Sequence, residues 1–467
     1  MDYGRDFDFT RPFFEQFDEL LKTVPLLNLI WANNENSDYI NLTADSKDCY
    51  IVIESSNNEN CYYGYWLQKC TDCCDVSFSH ECENCYEVQD SYNSYNLVFS
   101  DNCIDCRDSA FLDNCVWCEN CFGCINLINK KYYILNKEYS KEEYEKYINK
   151  IKYDYTNEIK IFKEQLKNLN AASIKKFAQV NDIYNSSGNY MKNAKNCVEC
   201  FHAYDSEDCK YGEHVWRNAK DLMDVSTVWR DASLVYESIN SWISLSNDMF
   251  CIISWSSSYI SYSFECFNSS NLFGCVWLVN KEYCIFNKQY TKQEYEELVP
   301  KIIEHMKRTW ERWEFFPISF SPFGYNESVV NEYFPLSRDE AITKWYKRID
   351  KEYPINVPEW IELLKWQDLP ENINDVKDDI LKKAILCEVS WKPFRIVKPE
   401  LDFYRKHNLP LPRKHPDVRH LERMQRRWGR QLYLRTCDNC SKQVISVYPA
   451  DSEFKVYCEN CYNKEIY

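Results

Sequence analysis

Four cysteines near the end of the chain, Cys437, Cys440, Cys458 and Cys461, are spaced as metal ligands. Two Cys-x2-Cys pairs with 17 residues between them offer four thiolates, the donor set that Zn²⁺ takes up tetrahedrally. A closed four-sulfur shell leaves no open position, so the expected zinc is structural rather than catalytic. The β-prone run Val444-Ile-Ser-Val-Tyr lies between the pairs. The expectation is a zinc ribbon over 431–467.

Just before it the charge inverts. Residues 392–435 hold thirteen Lys/Arg against four Asp/Glu, a local balance of +9. The whole chain carries −16, so the remainder is about −25 (−16 minus +9). Arg419, Arg423, Arg426, Arg427 and Arg430 crowd one short helical stretch, with Trp428 and Tyr433 interleaved. Such a patch suits contact with nucleic acid or a nucleoprotein particle. It equally suits docking onto the acidic remainder of the same chain.

Most of the 25 cysteines lie elsewhere, in two arrays. In the first, Cys49, Cys61, Cys70, Cys73, Cys82, Cys85, Cys103, Cys106, Cys115, Cys118, Cys121 and Cys124 share one register of three, and Cys74 alone falls outside it. Other positions in that register are small or apolar, such as Ser46, Val52, Gly64, Val76, Val88, Leu97 and Ser109, with Asn58 the exception. Neither a helix nor a flat strand has this period. A chain that turns inward every third residue describes a narrow β-solenoid. The quartet Cys70, Cys73, Val76, Ser79 recurs twelve residues on as Cys82, Cys85, Val88, Ser91, which predicts twelve-residue coils. Asn60, Asp72, Asn84, Asn102, Asp105, Asn114 and Asn120 precede inward residues. Asn and Asp tolerate left-handed backbone, so these are expected corners. The coil resembles that of the insect β-helical antifreeze proteins, whose inward residues are also Cys, Ser and Ala. The regular exposed Thr rows of those proteins are missing, so ice binding does not carry over.

The second array places Cys197, Cys200, Cys209, Cys251, Cys266, Cys275 and Cys284 in one register. Between Val215 and Asp248 that register breaks, with Ser233, Trp242 and Ser244 where cysteines would stand, so insertions or wider coils are expected. The arrays are duplicates: the segment from Phe122 to Glu145 matches that from Phe273 to Glu296 without a gap, and each unit should end in a hairpin-like stretch and a helix that cover the coil. Ser140 with Glu143, and Thr291 with Glu294, form capping boxes at the helix starts. The array thiols read as small hydrophobes filling a narrow core. The same Cys-x2-Cys spacing leaves metal binding or redox chemistry open. His80, His202 and His214 extend no repeated pattern.

No secretory signal and no long apolar run is visible, so a cytoplasmic location with mostly reduced thiols is expected. Apolar residues make up 45 % and Gly only 8 positions, which argues for a packed chain over a disordered one. No phosphate loop, nucleophile elbow or metalloprotease signature is present, so no enzyme and no small-molecule substrate is expected. The divisions expected are an N-terminal cap (1–45), a first solenoid (46–136), a helical cap (137–180) and a second solenoid (181–287). A helical and aromatic-loop region (288–383), a basic ribbon-like module (384–430) and the zinc ribbon (431–467) follow. The fold class is mainly β.

The segments Asp2-Tyr-Gly-Arg-Asp-Phe-Asp-Phe, Phe122-Gly-Cys, Ser321-Pro-Phe-Gly-Tyr-Asn-Glu and Tyr457-Cys-Glu-Asn-Cys-Tyr resemble an uncharacterised family of Cys-rich proteins from uncultured bacteria with reduced genomes. Residues 387–426 are similar to a zinc-ribbon family, but Ser390, His415 and Val418 stand at positions where that family has Cys, and only Cys387 remains. The resemblance implies a ribbon that no longer binds zinc. The resulting expectation is a zinc-binding scaffold docking to nucleic acid. The alternatives are a self-assembling homo-oligomer stacked through Tyr62, Tyr63, Tyr65, Trp66, Tyr92, Tyr95, Trp229 and Trp255, or a thiol-based metal or redox protein.

Overall fold

The computed structural model describes residues 2–67, 70–79, 83–151, 156–350, 355–427 and 429–466. His80, Cys82 and Trp428 lie outside the described residues, as do the side chains of His214, Trp216, Val228, Trp229, Trp242 and Ile243. The chain is mainly β and forms two compact units. One is built on Lys176–Asp350 with Met1–Leu27 and Gly429–Ser452. The other is built on Asn28–Lys175 with Lys351–Trp428 and Glu453–Tyr467.

The first array is a parallel β-solenoid. Tyr50 pairs with Tyr62, Cys61 with Cys73, Leu97 with Ser109 and Cys121 with Tyr133, each twelve residues on. Every third residue has positive φ, including Asn60, Asp72, Asn84, Asn102, Asp105, Asn114 and Asn120. A coil is therefore four sides of three residues joined by left-handed corners, and the residue after each corner points inward. Inward Cys49, Cys61, Cys73, Cys103, Cys106, Cys115, Cys118, Cys121 and Cys124 are at most 2 % exposed. The coils begin earlier than residue 46. Trp31 pairs with Thr43, and Asn34, Ser37, Ile40 and Thr43 occupy the inward register where cysteine is absent.

The lumen shows why Cys and Ser recur. At corners and mid-sides the backbone is satisfied by the coils above and below: Ile104 N–H donates to Cys115 O, and Asp105 N–H to Tyr92 O. In the first solenoid several inward amides turn to a side chain instead. Cys103 N–H donates to Ser91 Oγ, Cys106 N–H to Ser94 Oγ and Cys121 N–H to Ser109 Oγ, all one coil back. Cys85 Sγ accepts likewise from the Leu97 amide, and Cys251 Sγ from Ser263. The same groups donate to carbonyls. Cys115 Sγ lies 3.6 Å from Asp113 O and 3.5 Å from Cys124 O. Where an inward side chain meets these backbone groups, a small residue with one acceptor and one donor suits it, and Ser and Cys have both. Burial pushes the Cys85 thiol up to about 11 and the Cys266 thiol to about 12, so both keep the donating proton. Cys70 and Cys73 are linked as a disulfide, an exception to the reduced thiols expected.

In the second array the ladder spacing is twelve at Phe201↔Glu213 and Ser246↔Ser258, but thirteen at Cys209↔Leu222, Glu213↔Ser226 and Arg217↔Arg230. The thirteenth residue makes one side four residues long, as the corners at Thr227 and Asp231, and again at Asn240 and Ser244, show. The buried row therefore runs Val215, Ala219, Leu222, Val225, then Ala232, Val235, Ser238, Ser241, then Leu245, Asp248. Three one-residue slips restore the original register, which is why the cysteines on either side agree. The expected inward Ser233 and Ser244 are displaced by those slips: Ser233 is half-buried and Ser244 exposed.

Each solenoid ends as its duplicate does. Hairpins pair Lys131–Ile134 with Lys137–Glu138, and Glu282–Ile285 with Lys288–Gln289. Asn136 closes the last coil by bonding both N–H and C=O of Ile125, and Asn287 does the same to Val276. Both capping boxes form, starting helices Lys141–Ile148 and Lys292–Arg308. The N-terminal segment is divided. Helix Phe13–Thr23 packs Phe13 and Phe17 with Phe250, Tyr262, Phe273 and Phe286 of the second solenoid, and Glu311 accepts the amides of Phe13 and Phe14. From Asn28 the chain belongs to the other unit. In the helical and aromatic-loop region expected over 288–383, the pieces that follow the capping helix are short, such as Arg338–Thr343 and a few 3₁₀ turns.

Candidate metal centre

Strands Tyr433–Thr436 and Gln443–Ser446 pair antiparallel, and the turn between them carries Cys437 and Cys440. Cys437 N–H donates to Lys442 O at 2.8 Å, Ser441 N–H donates back to Cys437 O at 2.9 Å, and Ser441 takes the left-handed backbone (φ 61°) that closes the knuckle. Cys458 and Cys461 sit one turn apart at the start of helix Glu459–Ile466. The four sulfurs all lie within 4.8 Å of one another. A tetrahedral tetrathiolate with bonds of roughly 2.3 Å has sulfur–sulfur edges of roughly 3.8 Å, so small side-chain shifts close the shell. Cys437, Cys458 and Cys461 are buried and Cys440 is exposed. Among the described residues this is the group of His, Cys, Asp or Glu that can hold a metal ion.

Residues 384–427 repeat the knuckle without its ligands. Cys387 N–H donates to Lys392 O, Trp391 N–H donates to Cys387 O, and Trp391 is left-handed (φ 58°). Cys387 Sγ accepts from the amides of Val389 and Ser390. Burial raises its pKa, but the amides of His415 and Ser390 and the Ser390 hydroxyl outweigh that and leave it below the ordinary thiol value. Beside it, His415 Nδ1 accepts the Asp417 amide as a helix cap.

What holds this module is an ionic core on the first solenoid. Arg419 pairs with Asp75 and hydrogen-bonds Tyr404, and its guanidinium lies 4.7 Å from the Tyr63 ring. Arg423 bonds Asp75 at 2.9 Å and Ser77 at 3.2 Å. Glu400 accepts from Tyr63 and Tyr404. Burial raises the Glu400 pKa; Arg419 and the two hydroxyls oppose it without cancelling it. Cys74, the one cysteine out of register, lies under this module, 3.5 Å from the Tyr404 hydroxyl. Arg426 grips Asp101 and Arg427 grips Asp90 through two bonds each, and Arg427 stacks on Phe78 at 3.8 Å. Arg430 bonds Glu213 at 3.0 Å. All five arginines read as nucleic-acid contacts are thus engaged within the chain, Arg426 and Arg427 through bidentate pairs.

The aromatic residues offered for self-stacking are largely covered too. Tyr62, Tyr63 and Trp66 are buried, Tyr65, Tyr92 and Trp255 half-buried, and Tyr95 exposed. His202 is buried against the Tyr190 ring at 4.7 Å. No described helix is long and apolar enough to cross a membrane. No family model and no curated protein matches the chain.

Proposed function

We propose that this protein is a non-enzymatic cytoplasmic scaffold, a pair of rigid β-solenoids whose C-terminal module is stiffened by one structural Zn²⁺ on Cys437, Cys440, Cys458 and Cys461. The carrying observation is the four-sulfur cluster within 4.8 Å. Soft thiolates in a closed set of four select zinc or an iron–sulfur centre, and a single tetrahedral shell suits zinc. The array thiols do not call for more metal, since they also bond backbone carbonyls, as Cys115, Cys118 and Cys121 do. Elemental analysis of the purified chain decides this. One zinc per chain, lost in Cys440→Ser, is the expected result. Several metals per chain, or visible iron–sulfur absorbance, overturns it. Docking to nucleic acid is the weaker reading, since it requires Arg423, Arg426 and Arg427 to leave Asp75, Asp101 and Asp90. Binding at low salt that falls in Arg426→Ala would restore it.

A further inference from the structure

Among the described inward positions of the second solenoid, one carries a carboxyl group. Asp248 is fully buried and follows directly on the third register slip. Its Oδ1 accepts the amide of Ile260, one coil on, at 3.3 Å, and its Oδ2 lies 3.1 Å from the Ser254 hydroxyl. The titratable groups facing it are buried thiols, Cys251 on its own coil and Cys266 on the next. The coil before it supplies Val235 and Ser238 to the lumen. No cation is among its partners in the described residues.

In this register Ser257, Ser263 and Ser269 each accept an amide of the next coil and donate a proton to a backbone carbonyl. An ionised carboxylate does only the first, whereas a carboxylic acid does both. We propose that Asp248 works as a protonated acid, which makes the second solenoid an element that tightens as the pH falls through the neutral range. The environment agrees: burial pushes the Asp248 carboxyl from 3.8 up to about 8, against its hydrogen bonds from Ile260 and Ser254. The folded state then holds a proton that the unfolded chain releases. The stabilisation is complete below about pH 4, is lost steadily as pH rises towards about 8, and is flat above that. Glu265, with Cys266 as its titratable neighbour, is 6 % exposed and pushed to about 7 by burial, and it acts in the same direction.

Hydrogen exchange on the full chain from pH 5 to 8.5, corrected for intrinsic exchange, tests this. The opening constant of peptides spanning 248–266 should rise by up to about tenfold per pH unit for each proton involved. Peptides spanning 85–106, whose lumen holds no carboxyl, should not follow. Asp248→Asn keeps the shape and the acceptor and should flatten the second-array slope. Equal slopes in Asp248→Asn and the parent chain overturn the proposal. If that variant does not fold, the parent chain decides alone: a pH-independent opening of 248–266 overturns the proposal, and a slope confined to that region supports it.

Discussion

The two knuckle modules of this chain share a backbone and differ in what fills it. At Cys437 the knuckle supplies two of four sulfurs to a candidate metal centre. At Cys387 the same turn survives, closed by the same bond to a lysine carbonyl and the same left-handed residue. There Ser390 stands at the position of Cys440, and order comes from Arg419, Arg423, Asp75, Glu400 and Tyr404, each at most 4 % exposed. A metal ion organises a small module from within. A buried ionic network does so only when a large neighbouring surface excludes water, and the first solenoid supplies that surface.

The largest expected effect comes from removing the metal. Structural zinc contributes on the order of 10 kcal/mol to small modules. Chelation, or Cys458→Ser, should therefore unfold 433–466 while 384–427 keeps its exchange protection. Loss of protection in both would break the comparison. Next, Ser390→Cys with Val418→Cys rebuilds a Cys₃His set around the intact knuckle, and the zinc content should rise from one to two per chain. Content that stays at one would show that the turn alone does not preserve ligand geometry. Third, Arg419→Met leaves Asp75 and Glu400 without their buried partner and should cost about 3–5 kcal/mol, as broken buried pairs do. Denaturant unfolding of the unit measures it, and a change near zero would mean that the network is not what holds the module.

The smallest effect separates lumen thiols from ligand thiols. Cys118→Ser keeps the acceptor for the Lys130 amide and a donor, and should shift stability by under about 1 kcal/mol. Cys118→Val orphans that amide and should cost about 1–3 kcal/mol. The same Cys→Ser exchange at Cys440 should abolish metal binding. Matching losses at both sites would argue that the array also holds metal.

Much of this arrangement can be read from spacing alone. The register of three, the Asn and Asp corners, the capping boxes and the four ligands are short-range features that residue type and interval reveal together. The corners at Tyr63, Trp66, Phe99 and Phe111 are not, because bulky residues ordinarily avoid left-handed backbone and only the finished ladder holds them there. The slips between Val215 and Leu245 were visible as a broken pattern. Their size was hidden, because three single-residue insertions sum to one full side. Nor does local sequence show that Arg423 meets Asp75 or that Arg427 meets Asp90, since those partners lie more than 330 residues away. Cys74 was the one clue: a thiol facing outward in an array of inward ones marks the covered face.

The coil also sets a rule for how such a chain lengthens over generations. A regular turn is twelve residues, and Asn136 and Asn287 mark where the two series stop. Duplicating thirty-six nucleotides anywhere before those asparagines lengthens the rod by one strand spacing of about 4.8 Å and leaves every later rung in phase. Other lengths misplace all that follows unless they accumulate to a whole side, as the three single-residue insertions of the second solenoid do.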